Sequence, residues 1–147
     1  QLFLGVTFNY GLILGWSSIF SEISLIPIVL YIGAIFWTLG YDTIYGFQDI
    51  KDDEIIGVKS TSIKFKKNPI LFLFTCYAIF TISILTLGFK MNFNNLFFIF
   101  FILPFIHLFI LQIKKLKIDD GLSCLKIFKS NNFLGLLILF NILIGKI

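Results

Sequence analysis

The stretch YDTIYGFQDIKDDEIIGVKST, residues 41–61, lies between two long apolar runs and holds five of the eight acidic residues of the chain. Each apolar run is long enough to cross the hydrocarbon core of a bilayer, which is about 30 Å thick. Neighbouring carboxylates repel each other, and the penalty grows beside a low-dielectric layer. An acidic cluster at a membrane edge therefore needs a chemical explanation.

The spacing within this cluster points to a cation. Asp42, Tyr45, Asp49 and Asp53 follow one another at intervals of three or four residues. If the helix that enters from the preceding apolar run continues through them, their side chains share one face. Hard oxygen ligands select magnesium or calcium. Magnesium commonly takes one or two protein carboxylates and fills its other positions with water and substrate phosphates, so the pair Asp49 and Asp53 predicts a magnesium site.

The residues that follow the acidic cluster add groups that bind anions. Gly57 can end the helix, Lys59 provides an ammonium group, and Ser60 and Thr61 provide hydroxyl donors. Together with a bound cation, these groups can hold a diphosphate.

Two other interpretations of the same stretch are open. An acidic run in a membrane protein is often only a solvated connector. An EF-hand calcium loop is a poorer fit, because a loop that begins at Asp49 would place Lys51 at its third position and Glu54 where glycine is required.

The composition sets the fold class. The chain is 58% hydrophobic and 14% charged, with a mean hydropathy of +0.97, whereas a soluble domain carries roughly 25% charged residues. We therefore expect an all-α integral membrane protein, a bundle of about five transmembrane helices that forms a single domain over residues 1–147. The predicted spans cover about residues 2–20, 25–43, 69–89, 96–113 and 130–145. Residues 121–130 predict a separate short amphipathic helix.

Two polar residues interrupt the apolar runs. Asn9 is expected to donate a hydrogen bond to a neighbouring helix, with substrate contact as the weaker alternative. The lone histidine, His107, is expected to pack against a hydrogen-bonding neighbour rather than to act as a ligand or base.

The lysines orient the predicted bundle. Residues 44–68 and residues 114–131 hold five lysines each, and with alternating spans both regions fall on one side of the membrane. The positive-inside rule places that side, with the acidic stretch, on the cytoplasmic face of the membrane. The membrane is expected to be a bacterial inner membrane. The net charge of +4 is explained by this topology, so no nucleic-acid partner is expected.

The residues also carry a family resemblance. YDTIYGFQDIKDDEIIGVKSTSI, residues 41–63, closely resembles the second aspartate-rich motif of the UbiA-type membrane prenyltransferases, in particular the branch that uses 4-hydroxybenzoate in ubiquinone biosynthesis. GVTFNYGLILGW, residues 5–16, and IFWTLGYDTIY, residues 35–45, are similar to the same branch. After Pro69 the likeness is only general.

The resemblance implies a function and site residues. It implies transfer of a polyprenyl group from polyprenyl diphosphate to the ring of 4-hydroxybenzoate, with Mg²⁺ as cofactor. Asp49 and Asp53 would be the catalytic residues, and together with Asp52 they would hold the metal. Lys59, Asp42 and Tyr45 would bind the diphosphate or the acceptor.

The chain departs from the family in one respect. The first motif, of the form NDxxDxxxD, does not occur in it, and the family bundle has about nine membrane helices. The chain therefore resembles the C-terminal half of such an enzyme, is expected to be inactive alone, and would need the N-terminal half as a partner. The alternatives are a related prenyltransferase that uses a haem or naphthoate acceptor, a non-catalytic fragment, and a membrane transport module.

Overall fold

The computed structural model describes residues 1–22 and 24–147, which form helices joined by short turns. The long helices are α1 (Leu2–Phe20), α2 (Leu25–Gly46), α5 (Pro69–Lys90) and α8 (Gly121–Lys146). Two short helices, α3 (Ile50–Ile56) and α4 (Thr61–Lys64), follow α2. Between α5 and α8 lie α6 (Asn95–Phe100), α7 (Ile102–Ile106) and a π-helical segment, His107–Ile113.

Five helical stretches are long and apolar enough to cross a membrane, which confirms the predicted all-α membrane bundle. They are α1, α2, α5, α8 and the continuous stretch Asn95–Ile113, called here the fourth span. α2 lies at the centre of the bundle and packs against α1, α5 and α8.

Alternation of the spans gathers the two lysine-rich connections at one end of the bundle. There, the side-chain oxygen of Gln1 accepts a hydrogen bond of 3.0 Å from the Thr61 amide, and Gly121 lies against Gln48. At the opposite end, the Asn94 amide donates to the Gly145 carbonyl over 3.1 Å. The end that carries residues 47–68 and 114–120 is called the motif end below.

The central pair, α2 and α5, approaches closely at one glycine. A Cβ added at Gly40 would lie 2.5 Å from Cε1 of Tyr77, whose side chain is fully buried. In lipid, helices associate through close packing and interhelical hydrogen bonds, because the surrounding acyl chains are as apolar as the helices. Gly40 therefore allows the approach on which the α2–α5 contact depends.

The helix boundaries differ from the sequence prediction at the acidic stretch. α2 continues to Gly46, slightly beyond the predicted span end near residue 43, and then stops, so the condition of one unbroken helix through Asp53 is not met. Phe47 and Ile50 turn into the core, where they are 2% and 8% exposed. Burial of these two apolar side chains stabilises the turn between α2 and α3.

The last span also differs from the prediction. The amphipathic residues 121–130 and the apolar run after them form one helix, α8, rather than two. The Asp120 carboxylate accepts a hydrogen bond of 3.1 Å from the Ser123 amide and caps its N-terminus. No glycine or proline interrupts residues 122–134, so the helix continues from its cap into the bilayer.

Replacing Gly40 by alanine should destabilise the bundle by about 1 to 3 kcal/mol, the usual cost of overpacking a filled core. The matched control is Gly15→Ala on α1, where an added Cβ meets nothing within 4 Å. That control should be neutral or stabilising, because alanine is the better helix former. Thermal unfolding in detergent measures both variants, and equal stability of the two would contradict the packing argument.

Candidate functional site

The turn between α2 and α3 positions the aspartates predicted from the sequence. Asp49 is the N-cap residue of α3, and the Asp53 amide donates a hydrogen bond of 2.9 Å to the Asp49 carbonyl. The two residues are therefore one helical turn apart. Gly57, with a φ of 80°, ends α3 in the left-handed conformation that favours glycine, as predicted.

The other predicted residues lie at the same end of the bundle. Asp52 is exposed in the first turn of α3, and Lys59 is exposed between α3 and α4. Asp42 is half-buried, and Tyr45 is 37% exposed in the last turn of α2. The structure thus collects all six predicted side chains at the motif end.

The carboxylates fit a metal that is shared with a substrate better than a metal held by protein alone. Among the residues that the structure describes, no three His, Cys, Asp or Glu side chains are grouped to hold a metal ion. Asp49 accepts only a long hydrogen bond of 3.3 Å from the side chain of Gln48. Magnesium needs only one or two carboxylates when phosphate oxygens complete its shell, so the pair Asp49 and Asp53 suits it. The metal assignment stays a prediction.

The acidic residue that follows this pair has a different role. Glu54 forms an ion pair with Lys66 at 2.9 Å, and both side chains are partly exposed. This pair links α3 to the turn after α4 and contributes little stability, as exposed ion pairs usually do.

The two hydroxyl residues after Lys59 anchor the loop. Ser60 Oγ accepts a hydrogen bond of 3.3 Å from the Ile63 amide and caps α4, and the Thr61 hydroxyl pairs with that of Thr43 at 2.6 Å. Ser62 Oγ donates to the Thr43 carbonyl over 2.9 Å. These hydroxyls fix α4 against α2, and Lys59 lies directly before this anchored segment.

An aromatic ladder runs along α2 towards the acidic turn. Trp37, Tyr41 and Tyr45 are spaced four residues apart and share one face of the helix. The ring of Tyr41 lies edge-on to Trp37 at 5.8 Å between centroids, and Phe128 of α8 contacts Tyr41 at 5.7 Å and Tyr45 at 4.8 Å. Tyr45 is therefore held by packing against α8.

A mainly apolar cavity, called here the central cleft, lies between α1, α2 and α8 and has a volume of about 360 Å³. Its polar and amphipathic walls include Asn9, Trp37, Thr38, Tyr41, Asn131 and Asn132. Asn9 Nδ2 donates to Thr38 Oγ1 over 2.8 Å, which confirms the expected bond between helices. Tyr41 lines the cleft and directly precedes Asp42 on α2, so the cleft reaches the level of Asp42.

One wall of the central cleft belongs to a buried hydrogen-bond network that the sequence did not reveal. Asn131 Oδ1 accepts from Trp37 Nε1 over 3.0 Å and from Gln112 Nε2 over 2.9 Å. The same Gln112 accepts a hydrogen bond of 2.6 Å from the Tyr77 hydroxyl and contacts His107 Nδ1 at 3.2 Å. The network joins four spans, and it confirms the hydrogen-bonded packing role expected for His107.

The sequence gives no distinct signal for this network. Gln112 and Asn131 are uncharged amides close to lysine-rich connections, where they resemble ordinary interfacial residues. The π-helical segment that begins at His107 sets the orientation of Gln112, and such wide turns leave no clear sequence pattern. Only their partners, which are distant in the chain, show that these amides are buried.

These features define an integral membrane protein that combines a cleft between helices with an acid-rich turn at one end of the bundle. The family model of the UbiA prenyltransferase family matches residues 1–139, so the chain belongs to that family. No solved structure matches the chain significantly.

Curated relatives match all or part of the chain. A protein of Drosophila pseudoobscura pseudoobscura named "4-hydroxybenzoate polyprenyltransferase, mitochondrial" is 35% identical over 148 residues, which cover 100% of this chain and 37% of the relative. "4-hydroxybenzoate geranyltransferase 2" of Lithospermum erythrorhizon is 37% identical over 151 residues, covering 100% and 48%. The rat protein named "4-hydroxybenzoate polyprenyltransferase, mitochondrial" is 49% identical over 69 residues, covering 46% and 18%. The chain thus spans less than half the length of these relatives.

Two asparagines on α8 allow a test of how much the network contributes to the stability of the bundle. Asn131 and Asn141 are both buried, but the side chain of Asn141 has no hydrogen-bond partner within the described ranges 1–22 and 24–147. Asn131→Leu should cost about 1 to 2 kcal/mol, because it leaves the donors of Trp37 and Gln112 unpaired. Asn141→Leu should be neutral or stabilising, because it removes an unpaired amide from an apolar site.

Thermal unfolding measures the stability of both variants. Trp37 fluorescence, recorded in a Trp16→Phe background, reports on the hydrogen bond of the indole. A shifted emission maximum is expected for Asn131→Leu alone. Identical spectra and stabilities for the two variants would show that the network does not contribute to the free energy of unfolding.

Proposed function

We propose that the chain forms the C-terminal half of a prenyltransferase that moves a polyprenyl group from polyprenyl diphosphate to the ring of 4-hydroxybenzoate. The observation that carries this proposal is the pair Asp49 and Asp53, which lie one helical turn apart at the motif end. The family and the names of the relatives support the same reaction and its place in ubiquinone biosynthesis.

The motif end provides the groups that the diphosphate requires. Asp49 and Asp53 would hold Mg²⁺, with Asp52 as a further ligand, and the exposed ammonium of Lys59 would contact the diphosphate oxygens directly. When bound, Mg²⁺ supplies positive charge where the departing diphosphate becomes more negative. The anchored helix α4 limits how far Lys59 can move from the aspartates, which reduces the entropy cost of binding.

The central cleft suits the acceptor and the reacting end of the prenyl group. An allylic C–O bond that breaks leaves a carbocation-like centre, and an electron-rich ring carbon must reach it before water does. The cleft lies between apolar helices, and the aromatic rings of Trp37 and Tyr41 face its interior. Asp42 and Tyr45, which follow the lining residue Tyr41 along α2, are assigned to orienting the acceptor or the diphosphate.

A complete site is proposed to need a second protein segment. The first aspartate-rich motif of the family is absent from the chain, and the chain spans less than half of its relatives. The N-terminal half of the same enzyme is the partner that would supply the opposing aspartates. Without it, the carboxylates at the motif end bind diphosphate weakly.

The location follows from the same arguments. The lysine-rich motif end is assigned to the cytoplasmic side, because both connections at that end are basic. Several relatives are named mitochondrial, so the membrane is proposed to be a bacterial cytoplasmic membrane or the membrane that corresponds to it in mitochondria.

Replacing Asp49 or Asp53 by asparagine should reduce prenyl transfer about 100-fold or more, the usual cost of losing a group that stabilises developing charge. Membranes that contain the chain together with its upstream half are assayed with Mg²⁺, a polyprenyl diphosphate and 4-hydroxybenzoate. The control is Asp119→Asn, an exposed carboxylate on the other connection at the motif end.

The outcomes distinguish the alternatives. Loss of transfer only in the Asp49 and Asp53 variants supports the assignment, and unchanged turnover in them contradicts it. Activity of the chain without its upstream half would contradict the need for a partner. If the combined halves transfer to a naphthoate or haem acceptor instead, the acceptor assigned here is wrong.

Replacing Lys59 by glutamine should raise the KM for the prenyl diphosphate about tenfold, because a charge-assisted hydrogen bond is lost. The KM for 4-hydroxybenzoate should stay the same. Lys64→Gln is the control, since this lysine lies on α4 and has the same exposure. Equal changes in both variants would indicate a general effect of surface charge.

A further inference from the structure

A second cavity lies on the opposite edge of α8 from the central cleft, between α8 and the fourth span. It has a volume of about 310 Å³ and is called here the lysine cleft. Its polar walls are Lys115, Lys126, Ser123, Ser130 and His107. Leu111 and Ile127 form its apolar wall.

The charges of the lysine cleft are of one sign. Lys115 follows the end of the fourth span by two residues, and Lys126 lies in the second turn of α8, so both ammonium groups are at the motif end. No carboxylate lines the cavity, and the one ion pair in the described part of the chain is Lys66 with Glu54. Asp120, the acid that precedes α8, caps its N-terminus through the Ser123 amide. Two cations without a carboxylate partner select an anion.

The histidine at the inner end adds a donor. Gln112 Nε2 is a hydrogen donor and contacts His107 Nδ1 at 3.2 Å, so Nδ1 accepts. A neutral imidazole with an accepting Nδ1 carries its proton on Nε2. His107 therefore has a second donor that the network does not use.

The surroundings of the lysine cleft are hydrocarbon-like. Leu111 and Ile127 form its apolar wall. On the neighbouring surface, the large apolar side chain of Ile110 is 47% exposed and that of Phe133 is 59% exposed. A ligand that fits this surface has an anionic head at the membrane boundary and acyl chains beside the helices. Basic pockets between spans on the positive side of a membrane bind such headgroups.

We propose that the lysine cleft binds the phosphate headgroup of an anionic phospholipid. Lys115 and Lys126 contact the phosphate, and the hydroxyls of Ser123 and Ser130 lie beside it. The acyl chains lie against Leu111 and Phe133. This site is separate from the aspartates and from the central cleft, so lipid binding does not depend on the proposed prenyl transfer.

The test measures lipid retention by native mass spectrometry. The chain is reconstituted in phosphatidylcholine vesicles with or without phosphatidylglycerol, extracted in mild detergent and compared with the double variant Lys115→Gln/Lys126→Gln. Wild-type protein should retain phosphatidylglycerol over phosphatidylcholine. The double variant should retain about 30-fold less, the factor expected for two lysines at a membrane surface.

Three controls keep the result specific. Lys64→Gln/Lys67→Gln makes the same charge change at the motif end outside the cleft, and it should retain the lipid as wild type does. Lys115→Arg/Lys126→Arg keeps the charge and should also retain it, which excludes loss through misfolding. Equal loss in the two glutamine pairs would overturn the proposal, because it would show a diffuse charge effect. Displacement of phosphatidylglycerol by inorganic phosphate at equal concentration would overturn it as well, because the acyl chains would then contribute nothing.

Discussion

The side-chain amide of Gln112 joins two other spans of the bundle directly and a third through Asn131. It accepts from Tyr77 on α5 and donates to Asn131 on α8, and Asn131 in turn accepts from Trp37 on α2. Within a bilayer no water replaces a lost partner, so each of these buried groups must be paired inside the protein. The close contact of Gly40 with the ring of Tyr77 belongs to the same arrangement, because the hydroxyl of that ring is fixed by Gln112. Packing and hydrogen bonding therefore constrain the same residues.

This constraint connects the interior to the proposed site. Trp37 donates a hydrogen bond to Asn131 and stacks on Phe80, with ring centroids 5.1 Å apart. Its edge-on contact with Tyr41 then supports the residue that directly precedes Asp42. After the break at Gly46, Asp49 is exposed and Asp53 is partly exposed, so neither carboxylate is buried among the spans. A carboxylate pair at the membrane edge keeps its contact with water, and it avoids the cost of a charge in hydrocarbon.

Sequence reasoning recovered the features that depend on composition and local pattern. Hydropathy located five spans, lysine distribution placed both basic connections at one end, and the acidic spacing identified Asp49 and Asp53 as one turn apart. The sequence did not predict helix boundaries that depend on contacts between distant residues. The burial of Phe47 and Ile50 breaks the helix that the spacing alone would continue, and the capped start of α8 joins two segments whose compositions differ. Gly46 lies at the break, but Gly33 and Gly40 lie inside the same helix without ending it, so a glycine alone does not locate the break.

The contact of α1 with α2 also depends on close packing and interhelical hydrogen bonds. Gly5 is its one buried residue in the described chain, and the rest of the helix presents apolar side chains to its surroundings. Apolar surface gives no driving force for association in lipid, so α1 is held to α2 by close packing of Gly5 on Ile35 and by polar bonds. Asn9 donates to Thr38, and the Tyr31 hydroxyl donates to the Val6 carbonyl over 2.7 Å. On this apolar helix, Gly5 and Asn9 mark the interface with α2, and Asn9 also lies on the wall of the central cleft.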